Sequence, residues 1–220
     1  DQVNLNEITD NLGVSWVLPG LFFKPYPCNH FTHAGIDAAR LLKTKGITPD
    51  QIESLDLEVP TPVLRTIAEP REAKIKPESG YHAAFSGPYT VAAAFYRDNG
   101  LGLFHEDFED EAAKDPKILA LAAKVNVMAS AECDAIYPYQ LPAVLTAHLK
   151  DGSSVTEKIL VNRGGPQNPL SDAELALKFE SNVRTILTPE KAQKVSETIF
   201  GFATNKYSLN DLSNLIDVLI

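Results

Sequence analysis

The sequence predicts an α+β fold: an antiparallel sheet carrying packed helices, followed by three helices too few to make a core of their own. Three observations carry this. Residues 140–149 and 154–161 are apolar runs joined at Lys150-Asp151-Gly152-Ser153, and Asp-Gly between two such runs is the strongest short-range hairpin signal. Ser54-Leu55-Asp56-Leu57-Glu58-Val59 alternates strictly, the period of a half-buried strand. Beyond Arg163-Gly164-Gly165-Pro166-Gln167-Asn168-Pro169 the pattern is helical throughout, opening on the capping box Ser171-Asp172-Ala173-Glu174. The chain therefore divides into an N-terminal helical segment (1–13), an α+β unit (14–165) and C-terminal helices (168–220).

Taken in order, Asn4 caps a short helix that Gly13 ends. Ser15-Trp16-Val17-Leu18 and Leu21-Phe22-Phe23 are strand-like runs broken by Pro19-Gly20. Thr32 caps a helix from His33 to Lys45, with Ile36, Ala39 and Leu42 at helical spacing and Gly46 at its end. Thr48-Pro49-Asp50-Gln51 makes a single turn. Residues 60–79 are irregular. The Tyr81–Tyr96 stretch is helical, rich in alanine on one side, and Ser86-Gly87-Pro88 marks its start. His105 to Glu111 is a short acidic helix. Asp115-Pro116 opens another through Ala123, and Val125-Asn126-Val127-Met128 is a strand. In the tail, helices run from Ser171, from Thr188-Pro189-Glu190 to about Gly201, and from Ser208 to Val218.

At 220 residues, 44 % hydrophobic and 22 % charged, the chain has an ordinary globular composition and the length for a real core. Its net charge of -9 argues against nucleic acid or an anionic membrane surface as partner. It leaves room for a small acidic ligand in a local cationic pocket. Cys28 and Cys133 do not make a disulfide framework. With no signal peptide and no transmembrane-length apolar run, a cytoplasmic protein is expected. Metal-site spacings such as CxxC and HExxH are absent, so no metal is expected. The chain opens on Asp1 and its only methionine is Met128, which points to a fragment or a processed product.

The densest chemistry lies in Phe23-Lys24-Pro25-Tyr26-Pro27-Cys28-Asn29-His30-Phe31-Thr32-His33. Two prolines hold its front half extended, and it runs into a helix N-terminus, a natural place for an anion. A solvated proline-rich connector is the alternative.

Several stretches together resemble the MmgE/PrpD family, which includes 2-methylcitrate dehydratases, cis-aconitate decarboxylases and iminodisuccinate epimerases. They are Lys24-Pro25-Tyr26-Pro27-Cys28 with His33 and Ile36-Asp37-Ala38-Ala39; Phe85-Ser86-Gly87-Pro88-Tyr89-Thr90-Val91-Ala92; the strand ending at Asp151-Gly152; Arg163-Gly164 through Asn168-Pro169-Leu170-Ser171; and Lys178-Phe179. The resemblance implies that residues 14–165 are the α+β lid domain and that the last helices complete an all-helical domain. By the same resemblance the chain looks like the second half of a longer protein, whose helical first half would be the partner of those helices. It also implies a cofactor-free lyase, a homodimer, and an active site between the two domains.

Residue by residue, Lys24 matches a lysine that lines the active site in the decarboxylase branch, where it can hold a carboxylate and the enolate-like charge that follows proton loss. His33 matches a family position and is expected as an acid/base or orienting group, neutral because a helix N-terminus disfavours its cation. Asn29 stands where the decarboxylases carry histidine. It can orient a carboxylate but cannot transfer a proton, which turns the expectation toward a dehydratase acting on a small di- or tricarboxylate. His30 and Tyr26 are expected to line the substrate site, although an extended segment would turn His30 away from Asn29. The rival readings are an epimerase or other isomerase of a small dicarboxylate, and a non-catalytic binding or dimerisation module. Cys28 is expected as site wall rather than nucleophile, Arg65 and Arg71 as surface side chains, and Arg163-Gly164-Gly165 as a hinge.

Overall fold

The computed structural model describes residues 4–215. Four strands form one sheet in the order β2-β1-β3-β4: β1 is Ile52–Val59, β2 Val125–Ala129, β3 Ala143–Leu149 and β4 Ser154–Ile159. The expected antiparallel arrangement holds across β1, β3 and β4. β2 adds a parallel edge to β1, with Leu55 opposite Val125 and Val59 opposite Ala129, so the sheet is mixed. A parallel neighbour needs a long crossover, and residues 60–124 supply it. The β3–β4 connection is the hairpin expected at Asp151-Gly152, with Gly152 at φ +87°, a conformation that favours glycine.

One face of the sheet is apolar. Leu55, Leu57 and Val59 of β1 are buried under two helices, α1 (His33–Thr44) and α2 (Gly87–Tyr96). α1 lies over β3 and β4 and against α2, which meets α3 (Pro116–Ala122). The close crossing depends on small residues. A methyl on Gly35 of α1 would sit 3.2 Å from both Leu57 and Val91, and Ala92, Ala93 and Ala94 are all buried. α2 begins where Ser86-Gly87-Pro88 placed it, with the Ser86 hydroxyl accepting from the Tyr89 N–H at 2.9 Å. The residues before it form a separate turn, Gly80–Ala83. The opposite sheet face is polar: Asp56 meets His148 at 2.9 Å and Asn126 at 3.1 Å.

Other expectations change. Residues 15–23 form no strand; Leu18–Gly20 is a single 3-10 turn, because Pro19 removes a donor and no neighbouring strand offers a partner. Leu5–Ile8 is likewise only one 3-10 turn. The irregular 60–79 stretch holds two short helices, Leu64–Ile67 and Arg71–Ile75. Arg71 is no free surface arginine. Its guanidinium donates to the carbonyls of Val125 and Ala123 at 2.8 and 2.9 Å.

In the tail, α4 (Asp172–Val183) carries the predicted Ser171–Glu174 capping box, and α5 (Pro189–Ala203) follows. Leu187, Ala192, Val195 and Leu215 form a small apolar cluster separate from the sheet core. The last helix is described as Leu209–Ser213; its expected extension to Val218 lies outside the described residues. Among those, no helix is long and apolar enough to cross a membrane.

Candidate active site

The stretch before α1 is shaped by its own amide. Asn29, not Thr32, caps the turn: its Oδ1 accepts from the Phe31 N–H at 2.9 Å, while its own N–H donates to the Ala84 carbonyl at 2.8 Å. Thr32 donates its hydroxyl backwards to the Asn29 carbonyl at 2.8 Å. The result is a 3-10 turn, His30–Thr32, feeding directly into α1. Helical rotation, rather than the alternation of an extended chain, then decides where the histidines point. Residues three apart share a face, so the His30 and His33 rings meet at a tilt of 57° with centroids 4.8 Å apart.

Lys24 reaches the same place. Its Nζ donates to the Cys28 carbonyl at 3.2 Å, and His33 Nε2 approaches that oxygen at 3.4 Å. His33 is fully buried, and its Nδ1 has no partner among the described residues. Burial holds its pKa well below the usual histidine value, and the neighbouring His30 and Lys24 push it the same way. His30 is half-buried and also lowered, first by burial and then by Lys24. Both rings are therefore neutral near pH 7. Phe22 closes one side, edge-on to His30 at 5.3 Å.

The remaining sequence-predicted residues divide. Asn29 spends its carbonyl on the cap and keeps its NH2 as a donor. Tyr26 has no exposed surface and its hydroxyl is taken up by protein partners, so it does not offer itself to a ligand in this arrangement. Its ring packs against His33 at 5.2 Å. Its hydroxyl donates to Asp37 at 2.5 Å and accepts from Arg163 Nη2 at 2.6 Å. Cys28 is buried, and burial pushes its thiol pKa up to about 12, which removes it as a nucleophile.

Sequence reasoning missed three participants. Arg163 is not a hinge: it bonds Tyr26, the Leu101 carbonyl at 2.8 Å and Glu174 at 2.6 Å, and lies 3.4 Å from Asp37. It thereby ties Tyr26 and Asp37 to α4. Asp37 lay inside the family-like stretch without a role. Asn162, fully buried, reaches His30 Nε2 with its Nδ2 at 2.8 Å from 132 residues away. No local pattern marks an isolated asparagine after a strand. Among the described residues no group of three or more His, Cys, Asp or Glu could hold a metal ion.

A family model described as the MmgE/PrpD C-terminal domain matches residues 26–200. The cis-aconitate decarboxylase of Mus musculus is 26% identical over 180 residues, which are 79% of this chain and 35% of that protein. The chain thus spans about a third of the length of the curated relative it matches, 35%. With the family match running from the buried Tyr26 through every strand of the sheet into α5, the chain belongs to the MmgE/PrpD family, as its C-terminal domain.

Proposed function

We propose that the protein is a cofactor-free lyase acting on a small di- or tricarboxylate, most like 2-methylcitrate dehydratase. The observation that carries this reading is the convergence of Lys24 and His33 on the Cys28 carbonyl, with the neutral His30 ring packed at a tilt against His33. An ammonium beside two uncharged imidazoles suits α-proton removal next to a carboxylate. The cation holds the carboxylate and the charge that accumulates on it, and a neutral ring is free to take a proton. In this reading Lys24 is the anchor, His33 accepts through its unpartnered Nδ1, and His30 with the Asn29 NH2 contacts a carboxylate. The His33 ring is fully covered here, so acceptance requires the covering side chains to move. The helices of residues 168–220 would complete a helical domain, the second wall of the cleft, in a homodimer.

The similarity to cis-aconitate decarboxylase favours a second reading, loss of CO2 from the same substrate class. Asn29 weighs against it, because an amide cannot move a proton. The test is turnover by the whole protein on 2-methylcitrate, cis-aconitate and small dicarboxylates. An alkene with loss of water marks a dehydratase, released CO2 a decarboxylase, and α-proton exchange without either an epimerase. Turnover of none leaves a binding module. Lys24→Ala should lower kcat by about 10²–10³, the usual cost of one charge-stabilising donor. Wild-type turnover in that variant would remove Lys24 from the reaction.

A further inference from the structure

We propose that Asn162 sets the tautomer of His30, holding it as the neutral Nδ1–H form so that it meets a bound carboxylate as a hydrogen-bond donor and not as a base. This deepens the lyase reading of the same site and rests on it only for the identity of the ligand.

The amide orientation of Asn162 follows from its other contact. The Leu141 N–H can only donate, and it points at Asn162 at 3.2 Å, so the atom there must be Oδ1. That leaves the NH2 group 2.8 Å from His30 Nε2. An amide NH2 offers no acceptor, so Nε2 must present its lone pair. A neutral imidazole whose Nε2 is bare carries its proton on Nδ1. Protonating Nε2 would set N–H against N–H inside a contact whose asparagine is fully buried, a clash of two donors.

Among the described residues no other neighbour opposes this choice. His30 faces the Lys24 ammonium, the neutral His33 ring and the edge of Phe22. None of these supplies an anion to stabilise an imidazolium. The two histidines then differ in kind. His33 approaches the Cys28 carbonyl through Nε2, and a carbonyl only accepts, so His33 carries its proton there and leaves Nδ1 bare. One ring donates through Nδ1 and the other accepts through Nδ1. Asn162 is thus a positioning residue, acting on a substrate through His30.

The test is long-range ¹H–¹⁵N NMR of the histidine rings at neutral pH, with Asn162→Asp as the variant. Aspartate keeps the acceptor that Leu141 needs and replaces the NH2 with a carboxylate oxygen. In the wild type His30 should show a protonated Nδ1 and a bare Nε2. In Asn162→Asp the proton should move to Nε2 and the His30 pKa should rise by about one unit or more, the effect of an adjacent anion. A wild-type His30 protonated on Nε2 overturns the proposal, as does a variant with unchanged tautomer and pKa. The wild-type spectrum decides alone if the variant does not fold. Because the readout needs no substrate, a failed substrate panel would sink the lyase reading without touching this result.

Discussion

Arg163→Met tests the network behind the site. Arg163 lies 3.4 Å from Asp37 Oδ1, and Asp37 is otherwise served by the Tyr26 hydroxyl and by Arg40 at 3.9 Å. At that separation and an effective dielectric of about 20, the Arg163–Asp37 attraction is about 5 kcal/mol. Methionine recovers the cost of burying the guanidinium, and Arg40 remains. The net loss should therefore be about 3 kcal/mol, at the low end for breaking a buried pair. For a chain of this size that is a fall in Tm of about 6–12 °C. Burial raises the Asp37 pKa and Arg163 works against that rise, so the substitution raises it further. A raised carboxyl is costly when ionised and costs nothing extra once protonated. The deficit should accordingly be full at neutral pH and shrink as pH falls through the raised pKa of Asp37. Thermal and urea melts of wild type and variant at pH 7.5 and near pH 4.5 measure this, and Asp37→Asn in both backgrounds completes a double-mutant cycle. An equal deficit at both pH values, or additive losses in the cycle, would refute the argument.

Other consequences can be checked with the same preparations. Since His33 has a folded pKa well below its ordinary value, wild-type stability should be intact above about pH 6.5. It should fall by up to about 1.4 kcal/mol per unit as pH drops toward the folded value; His33→Gln should flatten that slope in urea titrations. Gly102 has φ +134°, and a methyl there would lie 2.3 Å from the Tyr26 ring. Gly102→Ala should thus lose about 2–4 kcal/mol, whereas Gly20→Ala, with nothing within 4 Å, should stay within about 0.5 kcal/mol of wild type. Cys28 and Cys133 are both buried with raised thiol pKa values, so a thiol reagent at pH 8 should label neither until urea unfolds the chain.

Much of the fold was legible because the signals are local. Asp151-Gly152 demanded a hairpin, Ser54 to Val59 alternated, and Ser86-Gly87-Pro88 and Ser171 to Glu174 announced helix starts. Each is a backbone or capping requirement met within a few residues. β2 was legible as a strand at residues 125–128, but its parallel pairing was not, because its partner lies about 70 residues away and the run itself has the same composition in either direction. The apolar runs at 15–23 had strand chemistry and no strand to pair with.

The site divides along the same line. The sequence by itself placed Lys24, Asn29, His30 and His33 within one short segment before a helix, since the prolines and the helix start are encoded there. Only the tertiary structure decided their states. Bringing His30 against His33 required the 3-10 turn that Asn29 caps. Holding both rings neutral required burial, complete for His33 and partial for His30, beside the Lys24 charge. Moving Tyr26 from substrate wall to buried hub required Arg163 to arrive from 137 residues away. Protonation and hydrogen-bond role depend on what surrounds a side chain in space, and those neighbours come from parts of the chain that carry no local mark of the meeting.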